Sequence, residues 1–301
     1  MIVAKEIFCL NEQGKRRNNE DSIYPPKSIA TNQDKLFVVC DGVGGENKGE
    51  VASEIVCMSV YEYINNQGIS LIDKKEAINK AIRYANGKLV EYAGRDPMAK
   101  RMSTTLSLVF LGEQSVMAAW CGDTRVHHIR EGRVMWKSDD HSLVAELVKN
   151  GEITAEEAKC HPRKNIITRS LNALNTNNAV DFHEIENCRN DDYLLLCTDG
   201  FLEQIDENLI FSVLSNEKEK NKARQFFSLC EGKTRDNFSM YLIKVGYTEN
   251  EHRKLPTYRL VSSYLIVFLC LVTIIVMFLL LRKNETVSQK SLQQREIKKA
   301  K

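Results

Sequence analysis

The 301-residue chain contains no Cys-x-x-Cys pair, no internal repeat and no low-complexity tract ahead of its last residues. Its nine cysteines are odd in number and sit mostly inside apolar runs. This excludes a disulfide scaffold or a Cys-rich zinc module and fits buried thiols in a reducing compartment. The opening stretch, MIVAKEIFCLNEQGKRR, lacks a basic region followed by an apolar run of about 7–15 residues, so no cleaved signal is visible. Strong charge of one sign is also missing, with a net of +2. That small excess comes from residues 282–301, where seven Lys/Arg stand against Glu285 and Glu296. The rest of the chain is slightly acidic, a poor match for nucleic acid, and no nucleic-acid partner is expected.

What the chain does have is 43% apolar and 27% charged residues, enough for a real core and incompatible with disorder throughout. It also has one long uncharged run, 260–281 (LVSSYLIVFLCLVTIIVMFLLL). At roughly 1.5 Å per residue this spans about 33 Å, against a hydrocarbon core of about 30 Å. Pro256, Tyr258 and Arg259 precede it and Arg282 and Lys283 follow, so the run reads as one transmembrane helix with interfacial anchors. The expected organisation is a folded body over 1–247, a juxtamembrane linker over 248–259, the transmembrane helix over 260–281 and a basic tail over 282–301. The basic tail alone would favour the opposite topology. Moving a folded body across a membrane without a signal is the harder step, so the body is expected in the cytoplasm.

Apolar runs rich in β-branched and aromatic residues, each closed by Gly or Asp, predict strands over 36–40, 105–111, 116–121, 193–197 and 238–245. Helical spacing predicts helices over 50–64, 76–93 and 143–149, and Thr154 with Glu157 has the spacing of a capping box. Strands that run together instead of alternating strictly with helices predict an α+β fold, sheets face to face with helices outside.

Four of these strands have an acid at one end in a Gly-rich or turn setting: Asp41 in VVCDGVGG, Asp123 in AWCGDTR, Asp199 in LLLCTDG and Asp236 in TRDNFSMYL. Carboxylates that converge repel one another unless cations lie between them. Asp-Gly is also ordinary turn chemistry, so the pattern alone leaves metal binding and turn formation both open. A fifth element, Gly14 to Ser22, sets Arg16 and Arg17 ahead of Glu20 and Asp21; it reads as a solvated loop or as a guanidinium fork beside metal-holding carboxylates.

The ordered series R-x-x-N-E-D, V-x-D-G-x-G-G, M-S-T-T, G-D-T-R, C-T-D-G and D-N resembles the metal-dependent protein serine/threonine phosphatases, the protein phosphatase 2C-like family, and in particular its compact bacterial members. The resemblance implies an αββα sandwich of two packed antiparallel sheets flanked by helices, here followed by the transmembrane helix. It implies that Asp41 bridges two Mn²⁺ or Mg²⁺ ions while the Gly42 carbonyl ligates one of them. Glu20 and Asp21 would serve the second ion directly or through water, and Asp199 and Asp236 would complete the first. Asp123, with Asp199 and Glu203, would hold a weaker third ion. Arg16 would grip the phosphate. A hydroxide bridging the two ions would attack phosphorus directly, removing phosphate from Ser or Thr of proteins. Oxygen-only ligands suit Mg²⁺ or Mn²⁺ independently of the resemblance.

Several positions depart from the family pattern. Val43 stands where many eukaryotic relatives have a His, so protonation of the leaving oxygen has no named side chain and falls to a metal-bound water. Ser103 replaces a common Gly, read as packing. Residues 138–165 resemble a flap over the site; His141 and His161 within it are read as solvated loop histidines. His127 and His128 are expected on opposite strand faces. Thr104 and Thr105 are read as plain strand residues, and Cys197 as a packed thiol. The expected partners are phosphorylated Ser/Thr proteins, a Ser/Thr kinase at the same membrane, and the membrane itself. The rival reading is a membrane-anchored pseudophosphatase that binds phosphoproteins without turnover.

Overall fold

The apolar runs become strands that are buried on both faces. In the computed structural model, which describes residues 1–43, 48–67, 73–174 and 180–248, the strands in chain order begin with β1 (Ile2–Glu12), β2 (Asp21–Tyr24), β3 (Leu36–Val43) and β4 (Ser103–Thr104). They continue with β5 (Leu106–Leu111), β6 (Val116–Cys121), β7 (Arg125–Arg130) and β8 (Arg133–Lys137). Last come β9 (Leu171–Asn172), β10 (Asp181–Ile185), β11 (Tyr193–Cys197) and β12 (Phe238–Tyr247). The helices are α1 (Gly49–Gln67), α2 (Lys74–Arg95), α3 (Leu143–Lys149), α4 (Ala155–Cys160), α5 (Asp199–Leu202), α6 (Glu207–Ser215) and α7 (Lys222–Cys230).

One sheet has the order β1-β12-β11-β7-β8, the other β10-β6-β5-β3-β4-β9 with β2 paired to β3. All pairings are antiparallel. Alternate residues explain why the central strands read as continuous apolar runs. On β3, Phe37 and Val39 face the opposing sheet, where they meet Leu194, Leu196, Tyr241 and Ile243. Leu36, Val38 and Cys40 face outward onto α1 and α2. Helix α1 meets them with Ala52, Val56, Val60 and Ile64, every fourth residue and all buried. On the other side Leu195 and Cys197 of β11 lie under Phe201, Ile210, Val213 and Phe226 of α5, α6 and α7. The result is the expected αββα sandwich.

The expected capping box forms: Glu157 accepts from the Thr154 N–H at 2.7 Å and Thr154 Oγ1 accepts from the Glu157 N–H at 3.2 Å. The expected strand at 105–111 forms from Leu106 onward, and a separate short strand precedes it: Ser103 and Thr104 pair with Val43 and Gly42 while the Thr105 N–H turns to the Asp41 carbonyl at 2.8 Å. Hairpin β7–β8 was not anticipated: its turn is Glu131-Gly132, both at positive φ, between strands with little apolar pattern. Seven of the eight described cysteines are buried and Cys160 is exposed.

The compact unit is Met1–Thr248. The transmembrane expectation at 260–281, with its linker and tail, lies outside the described residues; among those described, no helix is long and apolar enough to cross a membrane. Phe37 is fully buried and packs edge-on to Tyr241 at 5.2 Å. Phe37→Ala is expected to lower the unfolding free energy by about 3–5 kcal/mol in urea titration; a loss under about 1 kcal/mol would contradict a close-packed layer between the sheets.

Candidate metal centre

The acids meet at one end of the sandwich. Antiparallel pairing sets Asp21 of β2 directly opposite Asp41 of β3. Strand β11 ends at Cys197, so that Thr198 and Asp199 open α5, and Asp236 and Asn237 lead into β12. Asp123 follows the end of β6, one residue beyond Gly122. The side chains feel one another: Asp41 is driven well above the usual carboxylate range by burial first, then by Asp21, Asp199, Asp123 and Asp236. Burial, with Asp199 and Asp236, raises Asp21 to about 8 against the hydrogen bonds from Ser239 and Thr198, and burial with Asp199 and Asp140 raises Asp123 to about 7. Asp199 is raised by burial and Asp236, and it shares a hydrogen bond with Asp41.

Buried carboxyls in mutual repulsion keep protons unless cations compensate them. These donors are all oxygens, with no His or Cys among them, and so fit Mg²⁺ or Mn²⁺. Among the described residues, only His128, Cys188 and Asp192 have ligand atoms all within 4.8 Å of one another; the acids around Asp41 stand further apart. That trio does not fit an ion, because the buried Asp192 carboxylate already takes four hydrogen bonds, from Arg130 Nε and Nη2, His128 Nε2 and the Arg189 N–H, all at 2.8 Å, whereas the fork on Asp236 comes from a single exposed arginine, Arg16. Burial opposes the charge on Asp192, yet these partners hold its carboxyl below the usual range.

Arg16 is exposed at the rim and donates from Nε and Nη2 to the two Asp236 oxygens at 2.8 and 2.6 Å. Glu20 offers its backbone carbonyl to the Gly42 N–H at 2.9 Å and to Ser53 Oγ at 2.6 Å. Gly42 and Gly49 approach so closely that a Cβ on Gly42 would lie 2.2 Å from the Gly49 oxygen, which lets α1 start beside Glu20. Glu203 is exposed, accepts from the Arg235 N–H at 2.9 Å and raises Asp199 by its charge. Its carboxylate is turned to Arg235, at the edge of the acid set.

Several residues that hold this set were missed in the sequence. Asn237 donates from Nδ2 to the Gln13 and Asn18 carbonyls at 2.7 and 2.8 Å and accepts from the Glu20 N–H at 2.9 Å, stapling the loop that carries Arg16. Thr104 and Thr105 are more than strand residues: Thr104 Oγ1 donates to the Asp41 carbonyl at 2.9 Å, and Thr105 Oγ1 accepts from the Asp41 N–H at 2.9 Å. Thr198 Oγ1 donates to Asp21 at 3.1 Å. Adjacency of small polar residues to the acids was the available signal.

The histidines divide. His127 and His128 part as expected, His128 towards Asp192 and His127 into a buried site where burial, Arg125 and Lys137 push it down to about 3. His161 is half-buried and accepts from the Arg163 N–H at 3.2 Å. His141 corrects the reading as a solvated residue: it is buried against Trp120. Ser103 donates to the Val43 carbonyl at 3.3 Å, and burial keeps the Cys197 thiol at about 12.

The family model for protein phosphatase 2C matches residues 13–234. The chain belongs to the protein phosphatase 2C family. It is a metal-dependent serine/threonine protein phosphatase of that type, a family that uses Mn²⁺ or Mg²⁺. This phosphatase is 31% identical over 216 residues to the protein phosphatase PhpP of Streptococcus pneumoniae, covering 70% of this chain and 85% of that one. It resembles the solved serine/threonine phosphatase Stp1 of Staphylococcus aureus with a TM-score of 0.71 at 30% identity, over 79% of this chain and 94% of that one. The catalytic domain of the phosphatase PstP, solved in complex with 2 manganese ions, matches with a TM-score of 0.67 at 26% identity, over 82% of this chain and all of that one.

Without cations the raised acids make this phosphatase's stability depend on pH. Asp21 at about 8 and Asp123 at about 7 bind protons in the folded state that an unfolded Asp, near 3.9, has released. More protons bound when folded means stability falls as pH rises. Below about 6.5 buried His127 acts in the opposite sense, so the clean window runs from about pH 6.5 to about pH 8.5. In chelator, Tm is expected to fall across that window, and the rise on adding Mn²⁺ to widen with pH. A metal-free Tm that holds level or climbs there would contradict the buried acid set.

Proposed function

We propose that this phosphatase hydrolyses phosphoserine and phosphothreonine in proteins at the cytoplasmic face of a membrane, tethered by residues 260–281. The carrying observation is the convergence of Asp21, Asp41, Asp123, Asp199 and Asp236 with Arg16 at their rim. Glu20, Asp21, Asp41, Asp199 and Asp236 would hold Mn²⁺ or Mg²⁺, which would supply positive charge to the carboxylates and lower the pKa of water towards neutrality for hydrolysis.

The chain's own residues do the rest. Asp41 sits centrally among the acids, its backbone held by both threonines, so its carboxylate is fixed in the place where it would hold a cation. Glu20 and Asp21 arrive from one side, Asp199 and Asp236 from the other. Arg16 presents a planar fork of N–H donors that suits equatorial phosphoryl oxygens as well as it suits Asp236, and charge on those oxygens is where phosphoryl-transfer catalysis concentrates. Val43 offers no proton and none of the described histidines stands among the acids, so the leaving oxygen takes its proton from water.

The tether rests on the uncharged run at 260–281 and its flanking Arg and Lys. Confinement to a surface raises the effective concentration of neighbours, which makes a membrane-bound Ser/Thr kinase and its substrates suitable counterparts.

Two measurements test the reading. Phosphoserine and phosphothreonine peptides should be hydrolysed with Mn²⁺ and not in chelator, and Asp41→Asn or Asp199→Asn should each lower kcat/KM by about 100-fold or more; turnover that survives chelation or both changes removes it. Reporter fusions should place the N-terminus inside and the C-terminus outside the cytoplasm, and the reverse result overturns the topology.

A further inference from the structure

Behind the acids lies a histidine that the reaction does not use. His141 stands near the start of the segment 138–165, is buried, and stacks on Trp120 with centroids 6.2 Å apart and planes at 19°. It is bonded twice to one residue: its N–H donates to the Gly122 carbonyl at 2.9 Å, and its Nδ1 accepts from the Gly122 N–H at 3.1 Å. A backbone N–H can only donate, so Nδ1 is bare and the ring proton is on Nε2, which donates to Asp181 at 3.0 Å. Arg169 braces Asp181 at 3.2 Å. The His141 carbonyl accepts from the Thr168 N–H at 2.8 Å, beside the bridge between Ser142 and Ile167, so the same residue closes the base of the 138–165 segment.

Gly122 passes this restraint forward. Its φ is +103°, and a Cβ there would lie 2.5 Å from Thr105 Cγ2, so its backbone is held between His141 and Thr105. Thr105 grips Asp41 from both sides, accepting the Asp41 N–H at Oγ1 and donating its own N–H to the Asp41 carbonyl. Asp123 is the next residue along. One continuous path of bonds and contacts thus joins the segment base to two of the acids.

We propose that His141 is a positioning residue for divalent cations: through Gly122 it sets the spacing between the Asp41 and Asp123 carboxylates and ties it to the base of the 138–165 segment. The inference rests on the reading of the acids as a cation site. Residues that orient metal ligands typically change affinity by about 10–100-fold when altered.

Titration calorimetry with Mn²⁺ on the full chain tests it, without reference to turnover. His141→Ala should weaken the weakest Mn²⁺ site by about 10-fold or more. His141→Asn, whose Oδ1 falls near the Nδ1 position and can accept from Gly122, should restore most of that affinity. His141→Gln, which reaches only the Nε2 position, should not. In phosphopeptide assays the Ala and Gln variants should need more Mn²⁺ for half-maximal kcat, with KM for the peptide unchanged. Equal losses in Asn and Gln variants that follow Tm, or wild-type Mn²⁺ binding in His141→Ala, overturn the proposal. Should His141→Ala not fold, the Asn and Gln pair decides, with Asp181→Ala at the half-exposed partner expected to weaken the same site more mildly. A wild-type chain that binds no Mn²⁺ would instead defeat the reading of the acids.

Discussion

Mutual repulsion among buried carboxylates is the constraint around which this molecule is organised. Asp21 and Asp41 face each other across one strand pair, Asp199 shares a hydrogen bond with Asp41, and Asp123 and Asp236 add charge from two further loops. A fold that gathers such groups without cations must leave some of them protonated. The gathering opposes folding, so a packed double sheet with helices on both sides has to supply the stability that the acid end removes.

The rigid layers set where the acids begin, and small polar side chains set where they end. Thr104, Thr105 and Thr198 fasten Asp41 and Asp21, and Asn237 binds the loop bearing Arg16 and Glu20 at three backbone positions. Close approaches at Gly42 and Gly122 let backbones come within reach where a Cβ would collide. The kinship with enzymes of the 2C type therefore shows in more than the acids, since the scaffold that aims them is present too.

Much of this was legible in the sequence, for identifiable reasons. Strands buried on both faces leave long apolar runs, and the acids closing those runs mark where the sheets end, so Asp41, Asp123 and Asp199 could be placed from pattern and order. The capping box at Thr154 is a local signal and was read correctly. Hairpin β7–β8 leaves little signal because the buried strand β7 carries two histidines between flanking arginines, and β8, at the sheet edge, is half-buried to exposed along its length. The roles of Asn237 and Thr105 escaped because their partners lie far off in the chain, at separations of 217 and 64 residues for the Glu20 and Asp41 bonds. His141 was misread because loop position says nothing about burial: its exposure is decided by Trp120 and Gly122, which belong to other elements.

Strand β1 pairs with β12 from Ile2 to Glu12 apart from a bulge at Lys5, and Asn237 locks the loop after β1 to the start of β12. During synthesis the first strand leaves the ribosome long before its partner exists. Chains that stop before β12 therefore lack Asp236 and the Asn237 staple on the loop bearing Arg16 and Glu20, so their acid end is left incomplete. Enzymatic competence arrives in a single late step, when the closing strand emerges.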